Sequence, residues 1–238
     1  MRLFVLAGGF GTRLKTVTGD MPKVLAPVCG LPFLHYQIEN WVSQGVTEFV
    51  FLLHYQAEVI INYIESELVP QYEDCTFKWI TEEHPLGTGG AIANAIRKMD
   101  VSNGCLVVNA DTWLGSGIQE LINSGPEVMA ITRFSQAQRY GSVKINKNGL
   151  VQGFHEKNEK LKAGLINAGL YFLSQDIFLA QSKNDAFSME NDILPSLVAR
   201  NVMKSIILET DFIDIGIPDD YRRFNDWILR NRSEQLWS

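Results

Sequence analysis

Hydrophobic positions in this 238-residue chain fall into short unbroken runs separated by amphipathic stretches. The runs at Arg2–Ala7, Glu48–Leu53, Thr76–Ile80 and Cys105–Asn109 predict strands, because a continuous apolar run suits a strand covered on both faces. Between them, Phe33–Gln44, Ala57–Leu68 and Gly89–Met99 show the spacing of helices with one buried face. Strand and helix in alternation predict an α/β fold with a parallel sheet. After Val128 the pattern changes. Val128–Arg133, Ser142–Ile145 and Leu150–His155 read as a meander, with Asn148-Gly149 as a turn. Leu165–Leu173 follows as a core strand and Met189–Arg200 as a helix. Pro218–Arg230 reads as a terminal helix whose first turn holds Pro218, Asp219 and Asp220.

Composition narrows the class. With 46% hydrophobic residues the chain can bury a sizeable core, and no linker or repeat divides it. A single domain over residues 1–238 is expected. The net charge of −6, without a basic run, lacks the footprint of a nucleic-acid binder. Cys29, Cys75 and Cys105 form an odd, widely spaced set, so neither a disulfide framework nor a zinc site is expected. No run has the length of a membrane span or a signal-peptide core, and a cytoplasmic protein without a membrane partner is the expectation.

The candidate chemistry begins where the first strand ends. Leu6 and Ala7 lead into Gly8-Gly9-Phe10-Gly11-Thr12-Arg13-Leu14, whose glycines let backbone N–H groups approach a phosphate. Arg13 and Lys23 add positive charge. Leu14 stands where a dinucleotide fingerprint needs its third glycine. No Gly-Lys-Ser/Thr closes a P-loop either, since Lys23 arrives twelve residues after Gly11 behind Pro22. The glycines alone would also fit an ordinary turn.

The whole string, Gly-Gly-x-Gly-Thr-Arg-Leu followed by Pro22-Lys23, resembles the signature of the sugar-1-phosphate nucleotidyltransferases, or nucleoside-diphosphate-sugar pyrophosphorylases. Further family-like segments recur in order at Leu86–Ala91, Asn109–Asp111, Tyr140-Gly141, Glu156-Lys157, Asn167–Phe172 and Asp214–Tyr221. The likeness implies a Rossmann-like three-layer nucleotidyltransferase fold with a mixed, mostly parallel central sheet. Residues 1–111 would form mainly the nucleotide-binding half and residues 112–238 mainly the sugar-binding half.

It also implies roles, residue by residue. Arg13, Lys23 and Asp111 would be catalytic. Leu6, Ala7, Gly8, Gly9, Gly11, Thr12, Arg13 and Lys23 would hold the nucleotide, together with Pro85, Gly87, Thr88 and Gly89 around the base. Tyr140, Gly141, Glu156, Lys157, Asn167 and Gly169 would hold the sugar phosphate. Asp111 and Asp214, each at the end of an apolar run, would hold Mg²⁺, which takes one or two carboxylates alongside phosphate oxygens. Alone, either aspartate would also fit a turn cap. Ala110-Asp111 departs from the family's usual Gly-Asp. Leu86-Gly87-Thr88-Gly89-Gly90 looks most like the guanylyltransferases, so GTP is the expected nucleotide and a heptose 1-phosphate the expected sugar. Mannose-1-phosphate guanylyl transfer, N-acetylmuramate-1-phosphate uridylyl transfer and a non-catalytic nucleotide-sugar sensor are the alternatives. The oligomeric state is left open, a homodimer being one option.

Overall fold

The structure is a computed structural model that describes residues 1–99, 104–135, 140–155, 163–181 and 186–235. The chain opens with β1 (Arg2–Leu6), a short α1 (Lys15–Thr18), the two-residue strands β2 (Pro27–Val28) and β3 (Leu31–Pro32), and α2 (Phe33–Ser43). Next come β4 (Glu48–Leu53), α3 (Ala57–Tyr63), α4 (Val69–Gln71), β5 (Thr76–Thr81), α5 (Gly87–Lys98), β6 (Cys105–Asn109), β7 (Thr112–Leu114) and α6 (Ile118–Asn123). The second half holds β8 (Val128–Phe134), β9 (Ser142–Ile145), β10 (Val151–His155), β11 (Gly164–Leu173), α7 (Gln175–Leu179) and α8 (Leu194–Ala199). It ends with β12 (Lys204–Leu208), β13 (Phe212–Asp214) and α9 (Pro218–Gln235).

One mixed sheet carries strands from both halves, in the order β10-β9-β11-β6-β1-β4-β5, with β8 pairing β11 and β12. Its first part is parallel: Leu3 stands beside Phe49, Phe4 beside Val107, and Phe49 beside Phe77. The sheet turns antiparallel where β11 joins β6, with Leu170 opposite Val108. The alternation of a strand sorts the core into two layers. Leu3, Val5, Phe49 and Phe51 face one layer, while Phe4, Val50, Leu52 and Val107 face the other. A third cluster packs Phe224 and Ile228 of α9 against Trp113 of β7 and Ile213 of β13. This last packing ties the C-terminal helix to the segment that follows β6.

Several elements differ from the sequence reading for local reasons. The three-residue strands β7 and β13 are too short to leave an alternating pattern, and α6 and α7 span about a turn and a half each. β12 is only half-buried over most of its length, so its apolar signal is weak. α5 starts at Gly87 rather than Gly89, because Phe187 O accepts the Gly89 and Gly90 N–H groups that an isolated helix start would leave unpaired. The predicted helices Ala57–Leu68 and Met189–Arg200 each contain a wider π-helical turn, Ile64–Leu68 and Met189–Ile193.

Candidate active site

The strand order β5-β4-β1-β6 means that the chain runs from β1 to one side and then crosses to the other. In such sheets the crevice at the carboxyl ends of the strands that flank the crossover is where ligands bind. A cleft of about 530 Å³ opens there, between the end of β1 and the end of β6. Leu6, Ala7, Gly8, Gly9, Gly11, Thr12 and Arg13 form one wall, with Lys23 beneath them and Asn109 and Asp111 across from them. The Ala7 N–H donates to Leu52 O at 3.1 Å, which extends the β1–β4 ladder to the first glycine and fixes where the loop starts. Phe10 and His54 also line the cleft, with their rings 5.8 Å apart edge to face.

An ionic cluster holds the floor. Lys23 begins a single 3₁₀ turn, Lys23–Leu25, which is anchored by the buried side chains of Val24 and Leu25. Its Nζ donates to Asp111 Oδ2 at 2.6 Å and lies 3.6 Å from Asp214 Oδ1. Asp111 follows β6; the Thr112 hydroxyl donates to its Oδ1 at 3.2 Å, and its carbonyl accepts the Ile215 N–H at 3.0 Å. Asp214 ends β13 and accepts the Gly216 N–H at 2.7 Å. A side chain at Gly216 would press on the cluster: its Cβ would lie 2.7 Å from Asp214 Oδ1 and 2.9 Å from Lys23 Nζ, so both would have to move. Behind the cluster, Gln37 and Asn40 of α2 donate to the Thr112 and Leu114 carbonyls and pin β7.

The two carboxylates are electrostatically unequal. Burial pushes the Asp111 carboxyl up, but the Lys23 charge and hydrogen bond outweigh it and hold Asp111 below its ordinary value. Asp214 is also pushed up by burial, and the neighbouring Asp111 charge adds to that push. Lys23, the Gly216 N–H and Arg13 oppose the rise without cancelling it. The donor set fits a divalent cation, since the lysine ammonium already draws both carboxylates towards one positive charge. Among the described residues no group of three or more Asp, Glu, His or Cys side chains gathers, so such an ion would need phosphate and water oxygens to complete its shell.

The other end of the cleft is walled by Pro85, Gly87, Thr88 and Ala91 at the start of α5, and by Glu82 and Glu190. Gly89 points away, towards the Phe187 ring. Glu82 Oε2 accepts the Leu86 N–H at 3.1 Å, and burial holds its carboxyl above the ordinary value. Among the sugar-site candidates, Glu156 and Lys157 lie outside the described residues. Tyr140, Gly141 and Asn167 are not on the cleft wall. The Tyr140 hydroxyl donates to Asp220 Oδ2 at 3.3 Å, and the Asn167 amide donates to the Tyr171 hydroxyl at 2.6 Å. Gly169, in a bulge of β11, backs onto the Asn109 side chain. Sequence reasoning passed over Glu82, Glu190, Gln37 and Gly216. Gly216 was legible in Asp214-Ile215-Gly216, whereas an acidic residue in a first helical turn, as Glu190 is, carries no distinguishing signal.

The chain is similar to known proteins over most of its length. The profile of the family described as "Nucleotidyl transferase" matches residues 3–231. The chain belongs to this family. It is 36% identical over 225 residues to D-glycero-alpha-D-manno-heptose 1-phosphate guanylyltransferase of Campylobacter jejuni, covering 94% of this chain and 98% of that protein. It is 33% identical to the protein of the same description from Aneurinibacillus thermoaerophilus, over 94% of this chain and 96% of that one. The crystal structure of HddC from Yersinia pseudotuberculosis superposes with a TM-score of 0.84 at 35% identity. It covers 95% of this chain and 99% of that one, and HddC is also known complexed with GMP-PN. The likeness to this nucleotidyl transferase family therefore spans nearly the whole chain, both sides of the cleft included.

The inequality of the two aspartates generates a stability prediction. Asp111 titrates below its ordinary value of 3.8, so its charge stabilises the fold above that pH, and the contribution fades as pH falls through the lowered value. Asp214 titrates above its ordinary value, so at neutral pH its charge opposes folding, and protonation relieves the cost. Asp111→Asn is expected to lower the melting temperature of the ligand-free protein at pH 7, and Asp214→Asn to raise it. Thermal unfolding followed by circular dichroism checks both, and the difference between the variants should shrink as the buffer is taken from neutral to below pH 3.8, the Asp214 part fading first.

Proposed function

We propose that the chain joins a nucleoside triphosphate to a sugar 1-phosphate, with GTP and D-glycero-α-D-manno-heptose 1-phosphate as substrates. The observation that carries this reading is the meeting, in one cleft, of a glycine-rich strand end, two cations and a carboxylate pair. A phosphate oxygen of the sugar 1-phosphate attacks the α-phosphorus in line, the bond to the β-phosphate oxygen breaks, and pyrophosphate leaves with its electron pair. Both reactants are anions, so positioning and charge neutralisation do most of the catalytic work.

In this reading Gly8, Gly9, Gly11 and Thr12 present backbone to the triphosphate. Arg13 clamps its outer phosphates through a planar fork, and Lys23 serves as a point charge for the α-phosphate or the sugar phosphate. Asp111 and Asp214 would hold Mg²⁺, which supplies charge neutralisation to the phosphates when bound. Pro85, Gly87 and Thr88 frame the base. The Glu82 carboxylate at that end is a hydrogen-bond acceptor, which suits the adjacent N1–H and 2-amino donors of guanine. Glu156 and Lys157, which the family resemblance implies, take the sugar phosphate in this reading, with Tyr140, Gly141, Asn167 and Gly169 shaping the structure around them rather than lining the cleft. The described relatives named as heptose 1-phosphate guanylyltransferases, and the GMP-PN complex of HddC, support both substrates. A cytoplasmic location belongs to the same reading, because that is where nucleoside triphosphates are supplied. Among the described residues no helix is long and apolar enough to cross a membrane.

Pyrophosphate release, measured with Mg²⁺ over a grid of GTP, UTP, dTTP, CTP and ATP against heptose, mannose, glucose and N-acetylmuramate 1-phosphates, tests the reading. Strong turnover in the GTP–heptose cell is expected. Strong turnover in another cell would replace the substrates, and silence throughout with nucleotide still bound would favour a sensor.

Two variants probe the cluster. Asp111→Asn is expected to cut kcat by about a hundredfold or more while leaving the sugar KM within a few-fold, because charge stabilisation counts most in the transition state. Near wild-type turnover would remove Asp111 from this role. Gly216→Ala presses on the ends of two movable side chains, so the fold should survive while the cluster spreads. A kcat loss of about tenfold or more, at a melting temperature near wild type, is expected from steady-state kinetics alongside thermal unfolding.

A further inference from the structure

The base end of the cleft is closed by a segment distant in sequence. Phe187 pairs with the turn that opens α5: its N–H donates to Leu86 O at 2.9 Å, and its carbonyl accepts Gly89 N–H at 3.0 Å and Gly90 N–H at 3.2 Å. The contact is close enough to explain the glycines. A Cβ at Gly87 would lie 2.5 Å from Phe187 O, and one at Gly89 would lie 2.5 Å from the Phe187 ring. Beside this backbone pairing runs a directed set of side-chain bonds. The Met189 N–H donates to Thr88 Oγ1 at 2.8 Å, and the Thr88 hydroxyl donates to Glu190 Oε2 at 2.7 Å. The Ser188 hydroxyl donates to the same carboxylate oxygen at 3.0 Å, and its own oxygen accepts the Glu190 and Asn191 N–H groups at 3.1 Å each. Both hydroxyls are thus approached by backbone donors and turn their hydrogens to Glu190. Glu190 itself sits in the π-helical turn Met189–Ile193, a conformation that recurs at functional sites.

We propose that Glu190 is a positioning residue for base selection. Acting through the Thr88 hydroxyl, it holds Leu86–Gly90 at the distance a purine base requires and so sets which triphosphate the cleft prefers. Glu190 and Thr88 both line the cleft, while Phe187 braces the turn from behind. The carboxylate therefore links the second half of the chain to the base end of the first. An acceptor that receives two hydroxyl donors in a partly buried place makes a bond stronger than a neutral pair would. The proposal rests on the reading of the cleft as a nucleoside triphosphate site.

Thr88→Val removes the hydroxyl and keeps the shape, Thr88→Ser keeps the hydroxyl, and Glu190→Leu removes the acceptor. Steady-state kinetics with GTP, ATP and UTP, together with calorimetric GTP binding and a melting temperature, should be measured for the wild type and each variant. Thr88→Val and Glu190→Leu are expected to raise the GTP KM and Kd by about tenfold or more and to narrow the preference for GTP over ATP and UTP. The effect of Glu190→Leu should fall on the triphosphate KM more than on the sugar 1-phosphate KM. Thr88→Ser should restore both the GTP KM and the preference, and the Thr88→Val/Glu190→Leu double variant should be no worse than the worse single one. An unchanged GTP KM and preference in Thr88→Val would overturn the role, and so would a lowered melting temperature without any change in preference. A wild type that neither turns over nor binds any triphosphate overturns the parent reading and this one with it. A wild type active with GTP beside unaltered variants overturns only the role of Glu190.

Discussion

Lys23 sits between Asp111 and Asp214, one positive charge set against two carboxylates at the floor of the cleft. The lysine side chain is 12% exposed, and a buried ammonium needs a partner within hydrogen-bond reach. The three groups come from separate parts of the chain: the segment after β1, the second residue after β6 and the end of β13. Their meeting fixes the position of the glycine-rich loop, because Gly11 backs directly onto the lysine stem. It also fixes β7 and β13 against each other, with Thr112 opposite Asp214. Burial first, and then the neighbouring Asp111 charge, hold Asp214 above its ordinary value, while Lys23 and the Thr112 hydroxyl hold Asp111 below its own. Such a site accepts added positive charge readily and resists losing the lysine.

The rest of the fold brings these three points together. The parallel strands end their hydrogen-bond ladders at one edge, and the crossing from the β1–β4–β5 side to β6 leaves a crevice at that edge. α2 supports the far side of the cluster through Gln37 and Asn40, which hold carbonyls of β7 rather than any side chain of the site. α9 packs on β7 and β13 through Phe224 and Trp113, so the C-terminal helix stabilises the carboxylates from behind. The two halves of the chain are therefore joined twice at the cleft, once by the ionic cluster at its floor and once by the Phe187–Glu190 strap at its base end.

The parallel half was legible because its strands are unbroken apolar runs. β4 is buried along nearly its whole length, as an unbroken apolar run in a sheet covered on both faces should be. The loop from Gly8 to Lys23 and both aspartates were legible through the resemblance, since an ordered series of short motifs is far more specific than any one of them. Tertiary approach left no such mark. Gly87 and Gly89 suggested room for a flat base, yet the space beside them is filled by Phe187, a residue about a hundred positions away. Glu190 stands in the first turn of a helical segment, where an acidic residue is common for local reasons, so its sequence position carries no mark of a role. β7 and β13 pair over three residues each, too few to register as a pattern, although they place both carboxylates.

The most direct measurement is the ammonium ¹⁵N resonance of Lys23, assigned by its loss in Lys23→Met and followed in the protein alone, with Mg²⁺, and with Mg²⁺ and GTP. In the protein alone the ammonium should exchange slowly with solvent, as a group held by two carboxylates does. It should shift when GTP and Mg²⁺ are added together, as its contacts pass to phosphate oxygens. An ammonium that exchanges as fast as exposed lysines in the free protein, or that is indifferent to GTP, would contradict the central place given to the Lys23–Asp111–Asp214 cluster.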